Sequence, residues 1–412
     1  MNWDEIKLEV IADFRNGVNF TNDSFGKGIK VINVADFKDF MYPNYENLGE
    51  LDSEAKWHKD SFLKENDIVF VRSNGNKNLI GRSLFIKDLP TNIKVTYSAF
   101  SIRLRFKFIK DICPEFYLYL FKSPIFRSIL SQYGNGANIS NLNQDILNNM
   151  VVPKPPLLVQ QKIASILSSY DELIENNKQR IQLLEEMAEE IYKEWFVRMR
   201  FPGYETAKIV DGLPEGWKNG TIGDLVEFKK GKNITLDTVT DGDVPVVAGG
   251  LTPAYYHNVA NTISPTITIS ASGANAGFVN IYYENIWVSD CSYLDTRSTK
   301  TLFFYYLILK TRQNEVFFLQ KGSAQPHVYP KDIMTLKMKK PSSDLIEKFE
   351  TLINPFFEEI KILSQKNQLL QETRDLLLPR LISGKLSVAH LVEEELGMVA
   401  EEKAIYKNKN HN

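Results

Sequence analysis

The chain is written twice, and no other feature constrains its fold as strongly. Trp3, Phe14 and Gly17 recur as Trp217, Phe228 and Gly231, each 214 positions later. FYLYLFKS from Phe116 returns as FYYLILKT from Phe304, a shift of 188, and Asp145-Ile146 matches Asp332-Ile333 at 187. The fall in offset places roughly 27 extra residues in the middle of the first copy. Between these anchors IVFVRSNGN from Ile68 resembles ITISASGAN from Ile267; both are β-rich runs that close in a small, polar glycine turn. A duplicated sequence calls for two similar units.

Each copy then ends in prolines and a helical ladder with steps of 4, 3, 4, 3. The first ladder is Ile163, Leu167, Tyr170, Ile174, Asn177, Ile181, Leu184, Ala188, Ile191 and Trp195; the second is Phe349, Ile353, Phe356, Ile360, Leu363, Asn367, Leu370, Arg374, Leu377 and Leu381. This spacing is a heptad seam, and seams of this length predict helices that bury each other. Lone polar entries such as Asn177 and Asn367 set register at some cost in stability. Leu157 to Arg200 contains neither proline nor glycine, so an unbroken helix there would extend about 65 Å. Asp344-x-x-Glu347 is a capping-box start for the second helix, and Pro355 predicts a kink in its first third.

The expected fold is α+β: two similar α/β domains in tandem, separated by two long helices that pair as an antiparallel coiled coil with pseudo-two-fold symmetry. The expected boundaries are 1–152 and 201–341 for the domains, 153–200 and 342–387 for the helical regions, and 388–412 for a frayed tail with room for a short helix.

Composition narrows the function classes. The chain has 412 residues and the longest apolar run, Leu302 to Leu309, is far too short to span a bilayer. Asp4 and Glu5 stand where a secretory signal would need positive charge, and Cys113 and Cys291 are the two cysteines, so a cytoplasmic, reduced, membrane-free protein is expected. Formal net charge is −2, with residues 1–150 and 201–341 each at +1. A nucleic-acid role therefore requires local cationic clusters or charge supplied by partners.

Catalytic constellations are missing from the sequence. It has no phosphate-binding glycine loop, no H-E-x-x-H, no C-x-x-C, no G-x-S-x-G and no set of metal ligands. Asn354-Pro-Phe-Phe faintly resembles the Asn-Pro-Pro-Tyr/Phe loop of amino-methyltransferases, but it lacks the second proline and Phe356 falls on the heptad seam.

Binding features are better developed. FSIRLRFKF from Phe100 alternates, so a strand would gather Phe100, Ile102, Leu104, Phe106 and Phe108 on one face and Arg103, Arg105 and Lys107 on the other. That cationic row is either a phosphate ladder or a solvated face. Arg72, Asn74, Asn76, Lys77 and Arg82 flank the Gly75 turn with donors suited to base edges, although asparagine and glycine are also ordinary loop residues. In the second copy the candidates are Lys229, Lys230 and Lys232 around Gly231, Tyr255, Tyr256 and His257, then Ser272, Asn275 and Arg297. Lysine turns are commonly just solvated, and the tyrosines serve packing equally well. Shared anchors with unlike loops imply one scaffold presenting two different recognition surfaces.

The sequence resembles the specificity subunit of type I restriction-modification systems. The likeness spans nearly the whole chain: PKPPLLVQQKIASILSSYDELIENNKQRIQLLEEM from Pro153, YKEWFVRMRFPGYE from Tyr192, LPEGW from Leu213, PTITISASGANAGFV from Pro265, WVSD from Trp287 and LLLPRLISGKL from Leu376. The resemblance implies two target recognition domains reading a bipartite, asymmetric site on double-stranded DNA, with the paired helices setting the unread spacer. It implies two DNA methyltransferase subunits that supply S-adenosylmethionine and adenine N6 methylation. It also implies restriction/translocase subunits that cleave with ATP and Mg²⁺, and no cofactor on this chain. Gln160-Gln161 has Glu347-Lys348 near its equivalent position in the second helix, which implies unequal partner-docking surfaces. The competing reading is a non-catalytic coiled-coil adaptor with two β-rich domains that bind carbohydrate or protein. A self-contained methyltransferase lacks its motifs.

Overall fold

The computed structural model describes residues 3–37, 41–53, 57–132, 141–322 and 326–393. It divides into two units, 1–174 with 368–412 and 175–367. Both cuts fall inside the long helices, so each unit includes part of each helix.

The elements of the first unit are β1 (Glu5–Lys7), α1 (Leu8–Ile11), β2 (Ala12–Asn16), β3 (Gly28–Ile32), β4 (Gly49–Asp52), β5 (Ile68–Val71), β6 (Ser83–Phe85), β7 (Lys94–Tyr97), β8 (Ser101–Phe106), α2 (Pro114–Lys122), α3 (Pro124–Gln132), α4 (Gln144–Asn149) and β9 (Val151–Pro153). A four-stranded antiparallel sheet runs β2-β8-β5-β6, a three-stranded sheet runs β4-β3-β7 with β3 and β7 parallel, and β1 pairs with β9. All four residues of β5 are buried. Ile68 and Phe70 enter a core shared with α2 and α3, while Val69 and Val71 enter a second core against β7 and the residues around it. The four-stranded sheet is therefore covered on both faces.

A long helix, α5 (Leu157–Tyr192), follows, and then a π-helical turn over Lys193–Val197. The second unit holds β10 (Ile209–Val210), β11 (Leu213–Pro214), β12 (Lys218–Thr221), β13 (Lys229–Lys230), β14 (Val244–Val247), β15 (Tyr255–His257), β16 (Thr266–Ser270), β17 (Val279–Tyr282), β18 (Trp287–Val288), β19 (Cys291–Asp295), α6 (Leu302–Thr311), α7 (Gln313–Phe318), α8 (Pro330–Met334) and β20 (Lys337–Lys340), before α9 (Ser343–Ile382). Its sheets run β13-β19-β16-β17 and β15-β14-β18, with β14 and β18 parallel and β12 paired with β20. Apart from the short β10-β11 pair, this is the topology of the first unit. The duplication read in the sequence is a duplication of fold.

The heptad seam holds along its length: every ladder position named above is buried or half-buried. Within each unit the helices run antiparallel. In the first, Arg374 pairs with Asp171, which also accepts the Tyr119 hydroxyl at 2.7 Å; in the second, Arg180 meets Glu359 at 2.7 Å and Asn177 donates to Asn367 at 2.9 Å. The helix ends also complete the domain cores. Ile163, Leu167, Leu378, Leu381 and Ile382 lie in the first core, and Ala188, Tyr192, Phe349, Ile353 and Ile360 in the second.

Several helical expectations are corrected. α5 stops at Tyr192 rather than Arg200, and Met199 takes a left-handed backbone with φ +59°, which an α-helix excludes. Phe356 is half-buried while its neighbour Phe357 is fully buried, stacked on Phe303 at 4.1 Å, because α9 there faces α6 as well as α5. α9 includes Pro355, which is exposed and does not end the helix. Of the Gln160-Gln161 pair, Gln160 is fully buried, accepting from Cys113 N at 2.9 Å and donating to the Pro155 carbonyl at 2.7 Å, while Gln161 is exposed. The expected tail is docked at its start, since Val388 is buried in the first core and 389–393 form a helical turn; residues 394–412 lie outside the described residues. Among the described residues, no helix is long and apolar enough to cross a membrane.

Candidate nucleic-acid interface

Gly17 and Gly231 recur because backbone must pass backbone at these points. A Cβ on Gly17 would strike the carbonyl oxygens of Tyr97 and Ser98, and one on Gly231 those of Val288 and Ser289. That close pass gathers loops at one end of each β domain, and equivalent backbone hydrogen bonds hold them. Val18 N to Tyr97 O (2.9 Å) matches Lys232 N to Val288 O (3.0 Å), and Ser98 N to Ile32 O (3.0 Å) matches Ser289 N to Val247 O (2.8 Å). Leu142 N to Arg72 O (2.8 Å) matches Val328 N to Ala271 O (3.0 Å). A common framework thus presents the loop after β5 in the first unit and the loop after β16 in the second.

In the first unit this loop carries Arg72, Asn74, Asn76 and Lys77. Asn74 Oδ1 accepts from Asn76 N at 2.8 Å and Asn76 Oδ1 from Asn78 N at 3.1 Å, which shapes the turn. Gly75 faces open space, and Asn76 and Lys77 are exposed. Arg72 is half-buried; Nη1 lies 3.4 Å from the Ala99 carbonyl, tying the loop to the β7–β8 link. Arg82 is half-buried at the far end of the same excursion.

The cationic row on β8 is not a phosphate ladder. Arg103 and Arg105 share a face with Val69, which the second core covers. Arg103 is 5 % exposed, its Nη1 donates to the Asp60 carbonyl at 3.2 Å, and burial lowers its pKa. Arg105 grips the buried Asp67 with two hydrogen bonds of 2.7 and 2.6 Å and donates to the Phe62 carbonyl at 3.1 Å. Lys107 reaches the Glu9 carbonyl at 2.6 Å and Asp13 at 3.3 Å. Nor are all five aromatic and aliphatic partners internal, because Phe100 and Phe108 flank the strand and are exposed. The solvated-face alternative fails with the ladder for the two arginines.

In the second unit Ser272 donates to Asp290, and Asn275 Nδ2 donates to the Gly249 carbonyl at 3.2 Å, so both hold the loop cluster together. Lys229 and Lys230 are exposed on the sheet edge, and the exposed Lys232 places its ammonium 6.0 Å from the Trp287 ring centre. Tyr255 donates to the Ile234 carbonyl, His257 is buried and accepts from Thr240 N at 3.1 Å, and Tyr256 is exposed. Arg297 is held by Asp295, Nε to Oδ2 at 2.7 Å, and by the Asn261 carbonyl at 2.7 Å. Burial opposes ionisation of Asp295, but Arg297 and the Ile263 amide outweigh it and keep that carboxyl below its usual range. Arg297 is itself exposed and committed to this pair.

Two features escaped the sequence reading. Ser98 and Ser101 recur as Ser289 and Ser292, an S-x-x-S turn at the β7–β8 and β18–β19 links, detectable once the shift of 191 is applied. The segment before α8 packs on the Ser272 loop, with Gly273 N donating to Pro326 O at 3.2 Å. Among the described residues no cluster of metal-ligating groups occurs.

The profile of the type I restriction modification DNA specificity domain matches residues 1–186 and again 214–372. This chain belongs to that family. The type I restriction enzyme MjaIX specificity subunit of Methanocaldococcus jannaschii is 26 % identical over 95 % of both chains. The HindI specificity subunit of Haemophilus influenzae is 23 % identical over 84 % of this chain and 91 % of that one. The crystal structure of the type I S subunit from M. genitalium shares the fold, with a TM-score of 0.58 at 18 % identity over 93 % of this chain and 96 % of that chain. Membership sets the adaptor reading aside: the duplicated units are DNA specificity domains, and the chain is a specificity subunit.

Proposed function

We propose that each unit of this specificity subunit reads one part of a split, asymmetric site on double-stranded DNA. The carrying observation is one backbone framework, fixed by matching hydrogen bonds, that exposes Asn76 and Lys77 in the first unit and, in the second, Lys232 beside the half-buried Trp287. Two DNA methyltransferase subunits then use S-adenosylmethionine to methylate adenine at the chosen site, and restriction/translocase subunits use ATP and Mg²⁺ to cleave unmodified DNA in the cytoplasm. This chain contributes recognition and no catalysis.

A formal charge of −2 supports a division of labour in which the methyltransferases supply much of the phosphate grip. Gel shifts on the chain alone should show weak binding that fades between about 50 and 200 mM salt. Adding the methyltransferase subunit should give tight, sequence-specific binding, and mapping methylated adenines should return one bipartite motif. A partner that adds no affinity, or methylation without a bipartite motif, contradicts the proposal.

A further inference from the structure

We propose that His327 is a base-reading residue of the second unit, with Asn141 as its counterpart in the first; the inference rests on the DNA-reading function above. Both residues directly precede an equivalent anchor. Leu142 N bonds to Arg72 O and Val328 N to Ala271 O, so each unit lays the same segment across its recognition loop. The residue entering that anchor is an asparagine in one unit and a histidine in the other. Both side chains offer a donor and an acceptor, the combination that distinguishes base edges in the major groove.

The segment around His327 is built to hold its ring still. Lys321 and His327 exchange backbone hydrogen bonds of 3.0 and 2.9 Å, and His327 also bridges to Ser272 on the recognition loop. The Lys321 ammonium pairs with the buried Asp332, whose other oxygen accepts from Tyr329 N at 3.1 Å. The imidazole runs parallel to and offset from the Tyr329 ring, with ring centres 5.7 Å apart and planes 8° from parallel. His327 is half-exposed, and neither ring nitrogen has a hydrogen-bond partner among the described residues. A fixed ring with both nitrogens uncommitted, beside Ser272 and Gly273, suits recognition because little freedom is lost on binding. A ring serving only packing would not need that clamp.

The test uses the full chain assembled with its methyltransferase subunits, acting on genomic DNA from a methylation-deficient host, with methylated adenines mapped at base resolution. H327A should relax base preference about tenfold or more at one or more positions of one half-site and leave the other half-site as in the wild type. N141A should do the converse. H327N, which keeps a donor and an acceptor, should change which base is preferred at the same positions, and it serves as the reporter if H327A melts early. Wild-type profiles for H327A and N141A overturn the inference, as does a uniform loss of methylation with both half-site preferences intact. A wild-type complex that yields no bipartite motif contradicts the DNA-reading function itself.

Discussion

Arg105 shows how one residue changes meaning between sequence and fold. On an isolated strand it belongs to a cationic row; in the structure it neutralises Asp67, which is 1 % exposed. Removing one partner of a buried ion pair leaves the other charge stranded, at a cost of about 3–5 kcal/mol. R105A should therefore lower the stability measured by urea unfolding by that order, and the double variant D67N/R105M should recover most of it. Were Arg105 instead a phosphate contact, R105A would leave unfolding unchanged and reduce the salt slope of DNA binding by about one. The alternation of FSIRLRFKF was legible, and it does form β8. What was hidden is that residues 28–97 supply a second sheet and its neighbours to cover the arginine face, a long-range fact that no local spacing carries. The glycine anchors were legible as repeats, and the structure adds the reason: a carbonyl occupies the space a side chain would need.

At the scale of elements, the helical ladders were readable because a 3.5-residue period is local. Asn177 and Asn367, singled out as lone polar seam positions, bond to each other. The joint between α6 and α9 was not readable. Glu350, in the first quarter of α9, accepts from Phe303 N and Phe304 N at 2.9 Å each and so caps the start of α6. Burial pushes its pKa up to about 7, against the pull of those amides. In the unfolded chain the group titrates near 4.5, so the folded state holds its proton more tightly. The stabilising contribution is complete below that value, declines as pH rises through the interval, and is lost above about 7. E350Q keeps an acceptor but cannot ionise. Relative to wild type it should be near neutral in urea unfolding at pH 5 and more stable by on the order of 2 kcal/mol at pH 8. An equal difference at both pH values would show that desolvation of this carboxylate is not what couples α6 to α9.

The whole molecule is organised by exchange between sequence-distant segments. The first core is finished by Leu378, Leu381, Ile382 and Val388 from the end of the chain, and Trp3 Nε1 donates to the Ile382 carbonyl at 3.0 Å. The second core takes Ala188 and Tyr192 from the end of α5 and Phe196 from the π-helical turn that follows. A duplicated gene product would ordinarily be expected to divide between its copies, but residues 1–200 lack side chains that their own β domain buries, and 201–412 lack those of the second. Each fully buried leucine or isoleucine lost from a core exposes apolar partners worth roughly 1.5–3 kcal/mol, so three such losses approach the total stability of a typical domain. Fragments 1–200 and 201–412 expressed separately should consequently melt early and with low cooperativity by circular dichroism. Mixed at equimolar ratio, they should associate and regain a cooperative transition, because every missing side chain is present on the other fragment. Independent, cooperative unfolding of either fragment at the temperature of the intact chain would mean that the helix ends are accessories to the cores and not part of them.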